Sequence, residues 1–580
     1  MSSLLMFLPL GDSDYFPQVQ ALSHLQLGET VLKEFAGSGI RSFPIASTAV
    51  HSLLFGVWGV PGFIASTILF HVLFFYALCR VLVHCGVPSG IARVGAFFVA
   101  LELPVLLLRR LSQWSFFPLK VTYWDTRFPR SLISEVIVLF FLGTALLLIG
   151  KHQVRLRRQW MLAGLLMGLL IQSDIHQAIN MMMLTAVVFL WLVIEDWASW
   201  PTVVLNAVSM GILTLLTAIP FLIQRWYEDP DIPARFGLIL VDRLHPIAVP
   251  GTVWLLLTTL VSAALIASAK KLGWKVQDRP VVLLLVLCGI AVVSCPFSLF
   301  VLGKGIQINH FEGRAELINS YVMLLALSLL AAAVLGRRHL LTRRIELGAI
   351  VIVAIAGAVH AASGGRYMSH DELPISDAIK MDSQALNLGH YKSAFFGLSQ
   401  ELESGRYDGL NVLATFDAQI ANWWTYRGRY LFLVDPFNST ASDRVMEDRF
   451  IDLAHVLQVN VDDFSRLIGQ QYILWRYLGT DKYQASKAYT FAPLEDYDPD
   501  SQALIRKSLV SDTWQVLLPV SERKRLVEKF ESNALAPAQM PELDIVVMSK
   551  DGRRSMFHPD EAEFDLTYQN ERFEIWKRRR

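Results

Sequence analysis

Ser131 to Gly150 forms a predominantly apolar run, followed at once by Lys151-His-Gln-Val-Arg-Leu-Arg-Arg158 and then by a second apolar run, Trp160 to Gln172. About twenty apolar residues reach across a bilayer when helical. A short basic loop between two such runs marks the side that stays in the cytoplasm. This stretch therefore reads as two membrane helices joined on the cytoplasmic side.

Working outward, apolar runs recur from Pro61 to Val83, Val94 to Leu108, Ala178 to Ile194, Val203 to Ile223, Thr252 to Ala269, Val281 to Gly303, Asn319 to Leu335 and Leu347 to Ala362. With an N-terminal stretch, these predict about eleven crossings. Two further basic clusters, Lys270-Lys271 with Lys275 and Arg279, and Arg337-Arg338 with Arg343-Arg344, fall on the same side as the first when the crossings are counted. The loops at 11–60, 109–130, 173–177, 224–250 and 304–318 then face outward, with everything after Ser363. Met1 to Leu10 is too short to span and has neither a basic n-region nor a small-residue cleavage site. It reads as the outer end of a first transmembrane helix whose beginning is missing, or as a very short first span.

Composition agrees. Of 580 residues 53% are hydrophobic, the mean hydropathy is +0.41, and the apolar runs stop near residue 362. The expected organisation is a transmembrane part over 1–364 and an extracytoplasmic mixed α/β domain over 365–580. The net charge of +1 gives no sign of nucleic-acid binding. All four cysteines, Cys79, Cys85, Cys288 and Cys295, lie in or beside apolar runs, so a disulfide-stapled exported domain is not expected. There is no Walker loop, dinucleotide glycine fingerprint, His-Glu-x-x-His or Cys-x-x-Cys, so ATP-driven transport, hydride transfer and zinc chemistry lack support.

The outward loops carry the chemistry-bearing residues. Gly11-Asp12-Ser13-Asp14-Tyr15-Phe16-Pro17 opens the first. Its carboxylates suit a general base, or ligands to a divalent cation such as Mg or Mn; a solvated acidic loop is the plainer alternative. Gln18 to Phe35 has apolar residues at helical spacing and reads as an amphipathic helix on the membrane surface, with a second apolar stretch from Ala49 to Val60. In the next loop, Asp125, Arg127 and Arg130 stand among aromatic residues. Guanidinium groups there suit phosphate oxygens, although an interfacial aromatic and basic belt has the same composition. Asp174 and His176 interrupt two spans. An ionisable residue at membrane depth is a functional hypothesis by default, and a solvated turn is the competing reading. Arg314 either holds a lipid phosphate or pairs with Glu312 or Glu316. Glu102, inside a span, reads as locally paired or snorkelling.

In the C-terminal third, Leu410–Phe416, Arg429–Val434 and Tyr472–Trp475 read as strands, with Asp417 capping a helix. Arg444–Val459 and Asp462–Ile468 read as further helices, and Phe564–Tyr568 with Arg572–Trp576 as a hairpin.

With these features together, the chain resembles the GT-C superfamily of integral membrane glycosyltransferases. The resemblance lies in Gly11-Asp12-Ser13-Asp14-Tyr15, the amphipathic helix after it, Phe43-Pro44 before the next span, the acid and arginines at 125–130, and the outward α/β domain ending in Tyr568 to Trp576. It implies a GT-C-like bundle and an inverting transferase that moves a sugar from a polyprenyl-phosphate carrier to an extracytoplasmic glycan, lipid or protein. It also implies Asp12 or Asp14 as base or metal ligand, and a bacterial cytoplasmic-membrane location. Asn422-Trp-Trp-Thr-Tyr426 lacks the acid of the oligosaccharyltransferase motif, which argues against protein N-glycosylation. A non-catalytic transporter or a lipid-handling assembly protein is the alternative class.

Overall fold

Gly59 adopts φ 63° between two helices, α1 (Ala46–Trp58) and α2 (Val60–His84). Glycine meets that backbone at little steric cost, and Pro61 in the first turn of α2 fits a helix start. In this computed structural model the chain is described at 19, 22–23, 46–100, 130–150, 157–226, 240–241, 249–302, 305–306, 308–337 and 348–352. It is described again in segments between 394 and 579, among them 443–470, 490–510, 515–533, 542–550 and 559–579.

After α2 come α3 (Ser89–Ala100), α4 (Arg130–Gly150), α5 (Arg157–Ile171), α6 (Ile175–Glu195) and α7 (Trp200–Trp226). A further three, α8 (Val249–Lys271), α9 (Asp278–Leu302) and α10 (Ile308–Arg337), complete the described bundle helices. Among the described residues, five segments are long and apolar enough to cross a membrane, within α2, α4, α6, α7 and α10. The molecule is a polytopic α-helical membrane protein. Burial sorts the helices: 83% of the α4 window is buried but only 22% of the α7 window, so α4 is central and α7 peripheral. Leu205, Ile212, Leu215 and Ile223 of α7 are exposed and apolar, as a lipid-facing surface requires.

Small residues let the helices approach. A Cβ at Gly164 of α5 would lie 2.5 Å from the Met210 carbonyl oxygen, and one at Gly168 would lie 2.5 Å from Thr217 Cβ. The α5–α7 seam is therefore a close backbone contact through small residues four apart. Thr214 Oγ1 donates across it to the Gly164 carbonyl at 3.1 Å.

The ends of the bundle agree with the charge pattern. The turn after α2 meets the turn between α8 and α9: Gln277 N–H donates to the Cys85 carbonyl at 3.2 Å, and Trp274 Nε1 to the Gly86 carbonyl at 3.1 Å. Glu195 at the end of α6 pairs with Arg279 at the start of α9. All these turns are expected on the basic side. At the other end, β1 (Leu240–Val241) pairs antiparallel with β2 (Gly305–Ile306), joining two loops expected to face outward. Cys79, Cys85 and Cys288 are free and buried.

The C-terminal part is mixed α/β. Strands β3 (Val412–Ala414), β4 (Leu431–Phe432), β7 (Ile545–Ser549), β8 (Phe564–Gln569) and β9 (Phe573–Arg578) form a sheet in the order β4-β3-β7-β9-β8. The strands β5 (Gln484–Ala485) and β6 (Gln515–Val516) pair separately. β3 runs parallel to β4 and β7, while β9 runs antiparallel to β7 and β8. Helices α11 (Asp443–Val456), α12 (Val461–Ile468), α13 (Pro499–Val510) and α14 (Val520–Asn533) accompany it. Asn460 caps α12, accepting from Asp463 N–H at 2.8 Å. The expected hairpin is present, its turn closed by Asn570 Oδ1, which accepts from the N–H groups of Arg572 and Phe573.

One strand expectation fails. Tyr472–Trp475 does not extend the sheet; Leu474–Leu478 is a wide helical turn. Ile473, Leu474, Tyr477 and Leu478 are buried at helical spacing, so packing against α11 decides the conformation over the β-favouring residue types. The strand beside β3 on the side away from β4 is β7. Asp417 and the helix after it lie outside the described residues.

Candidate functional site

At the loop end of the bundle the α5–α6 turn, the start of α4 and the first turns of α10 bring ionisable residues together. Asp174 is the N-cap of α6: its Oδ1 accepts from the backbone N–H groups of His176 (3.1 Å) and Gln177 (3.3 Å). A carboxylate there satisfies orphan donors and meets the positive end of the helix dipole. Its Oδ2 stands 2.5 Å from Arg314 Nε in α10, and His176 Nδ1 lies 3.4 Å from Oδ1.

Glu135, in the second turn of α4, completes the cluster. Tyr321 OH donates to its Oε2 at 2.6 Å and Gln177 Nε2 to its Oε1 at 2.9 Å. Both carboxylate oxygens thus accept hydrogen bonds, the arrangement that suits an acceptor-only carboxylate. Asp174 and Gln177 are spaced as a capping box, yet the Gln177 side chain spans to α4. Arg314 and Tyr321 lie two turns apart on one face of α10, so one helix face meets both acids. Gln172 Nε2 donates to the Thr217 carbonyl at 2.6 Å and ties the turn to α7.

The cluster is deeply buried: Glu135 and Asp174 are each 1% exposed and Arg314 is 5% exposed. Asn180, one turn further along α6, is fully buried with neither side-chain amide atom hydrogen-bonded. Buried charges are costly unless paired, and the pairing here links three helices.

Of the candidates read from the sequence, Asp174, His176 and Arg314 come together. The solvated-turn alternative for Asp174 is overturned, because the turn is inside the bundle. Arg314 pairs with Asp174; the Glu312 side chain lies outside the described residues. Asp12, Asp14, Asp125 and Arg127 lie outside the described residues, as does the side chain of Arg130. Among the described residues no group of three or more His, Cys, Asp or Glu could hold a metal ion. Sequence reasoning passed over Glu135, Gln177 and Tyr321. The signal in the sequence is a lone acid, Glu135, inside the apolar run 131–150.

No protein-family model and no curated protein matches the chain. Among solved structures it is similar to the crystal structure of ArnT from Cupriavidus metallidurans in the apo state. The similarity spans 99% of this chain and 96% of that chain at 13% sequence identity, with a TM-score of 0.40. A likeness of that strength carries no argument about activity, which has to be read from the residues of this chain.

Proposed function

We propose that this protein is a GT-C-type membrane glycosyltransferase that moves a sugar from a polyprenyl-phosphate carrier to an extracytoplasmic acceptor. The observation that carries the reading is the buried Asp174–Arg314 pair, with Glu135 and His176 beside it, at the bundle end expected to face outward. Ionisable groups are retained inside an apolar bundle where function needs them. Arg314 supplies a guanidinium for the carrier phosphate. An acid of the first loop, Asp14 or Asp12, accepts the proton of the acceptor hydroxyl, alone or with a divalent cation held by the two. Asp125, Arg127 and Arg130 add to the phosphate or sugar contacts, and Asp174 and His176 line the same site. A transporter would place such groups along a path near the midplane of the membrane; here they gather at the bundle end whose loops are expected to face outward.

The test is transfer of radiolabelled sugar from a polyprenyl-phosphate donor by the purified protein in nanodiscs. Asp14→Asn is expected to lower the rate about a hundred- to ten-thousand-fold with the protein still folded. Unimpaired transfer by the Asp12→Asn/Asp14→Asn double variant would remove these acids from the reaction. Absence of transfer with any lipid-linked sugar would favour the transport or assembly reading.

A further inference from the structure

The buried cluster carries more acid than base. Among the described residues it holds two carboxylates, Glu135 and Asp174, against one guanidinium, Arg314. Even an imidazolium at His176 would only bring the count level. Asp174 has a structural task as the α6 cap and as the partner of Arg314. Glu135 is held by two uncharged donors, Tyr321 and Gln177. An uncharged glutamine could keep both of those hydrogen bonds, because the tyrosine hydroxyl can accept as well as donate. The charge of Glu135 is therefore not needed for the local geometry.

Transfer changes the charge on the carrier. The acceptor oxygen forms a bond to the anomeric carbon as the bond from that carbon to the phosphate oxygen breaks. The acceptor proton passes to the base carboxylate, and the electron pair of the broken bond stays on the phosphate. A monoanionic phosphodiester becomes a phosphomonoester, whose charge approaches −2 above its second pKa of about 6. Coulomb repulsion scales with the product of the charges, so a nearby carboxylate repels the product about twice as strongly as the donor.

We propose that Glu135 sets the preference of this site for the sugar-loaded carrier over the spent one and so promotes product release. The inference rests on the reading of Arg314 as the phosphate contact. Glu135 keeps the helices in register through its hydrogen bonds and weakens the hold on a dianion through its charge. Loss of that charge alone should turn the spent carrier into a stronger inhibitor.

The experiment titrates polyprenyl monophosphate into the full-length protein in phosphatidylcholine nanodiscs. Glu135→Gln should bind it about tenfold more tightly than the wild type. Tyr321→Phe, which removes a hydrogen bond but leaves the carboxylate, should show no tightening. Unchanged or weaker binding by a folded Glu135→Gln protein would overturn the proposal. Excess phosphatidylglycerol should not displace the carrier; displacement would assign the site to lipid headgroups and overturn it as well. None of these readouts needs turnover. A protein that meets them without transferring sugar would keep the carrier site and lose the glycosyltransferase reading. Intact transfer with unaltered binding in Glu135→Gln would remove only the role of Glu135.

Discussion

Asp174 Oδ2 and Arg314 Nε stand 2.5 Å apart inside the helix bundle, joining the cap of α6 to the second turn of α10. The same carboxylate caps its own helix, so one residue fixes both a local helix start and a contact between distant segments. Glu135 extends the link to α4 through Gln177 and Tyr321.

Removal of one partner should therefore be costly. Arg314→Met leaves the Asp174 charge buried without this partner, and a loss of about 3–5 kcal/mol is expected. Reversible unfolding in mixed micelles measures it. A loss below about 1 kcal/mol would mean that the pair contributes little to stability.

The α5–α7 seam gives a steric prediction. Gly164→Val would press its side chain into the Met210 backbone, where a Cβ already falls 2.5 Å from the carbonyl oxygen. Overpacking of this kind typically costs about 1–3 kcal/mol, and more when backbone must move. Gly211→Ala, with no heavy atom within 4 Å of the added Cβ, is the control. Equal melting temperatures for the two variants would refute the close contact.

Topology can be tested from both faces of the bundle. Single cysteines at Arg157 and Lys275 should react with an impermeant maleimide only from the side carrying the basic clusters. A cysteine at Asp371 should react only from the opposite side. The contact between the Gly86 turn and Trp274 adds that a cysteine at Ser89 labels with Lys275. Labelling of Arg157 and Asp371 on one face would overturn the topology, and the site proposal with it.

The C-terminal part should respond to pH through His455. Its ring stacks on Phe530 at 4.0 Å, and burial holds its pKa below the usual 6.5, only partly offset by the hydrogen bond to the Phe530 carbonyl and by the Asp452 charge. Because the folded state resists protonation, the unfolded chain binds more protons just below that value. Stability then falls as pH drops through about 6.5. Amide exchange across Asp443–Val456 in the full-length protein should accelerate over that window, and His455→Leu should flatten the response. An unchanged pH response in that variant would assign the titration to another group.

Much of the membrane architecture was legible in the sequence. Apolar runs and basic loops act locally: a long apolar segment must satisfy its backbone within a helix when lipid surrounds it, and a basic loop stays on the cytoplasmic side whatever its neighbours do. Ser131–Gly150, Trp160–Gln172 and Ala178–Ile194 consequently emerge as helices within a few residues of their expected ends. The hairpin at Phe564–Trp576 is local in the same sense, since its strands are adjacent in sequence. Tyr472–Trp475 shows the limit of such reasoning. Its composition favours a strand, but its conformation depends on what α11 offers to Ile473, Leu474, Tyr477 and Leu478.

The site shows the same division. Asp174 and His176 stand out in sequence because an acid and an imidazole interrupt two apolar runs, and Arg314 because it precedes another. That Arg314 meets Asp174 was decided by the packing of α6 against α10. Glu135 accepts from Gln177 and Tyr321 at separations of 42 and 186 residues, beyond anything spacing or periodicity encodes. The sequence determined which segments are apolar enough to form bundle helices and which connections carry basic charge. The tertiary structure decided which charges meet, because a buried charge takes its partner from whichever helix the bundle places beside it.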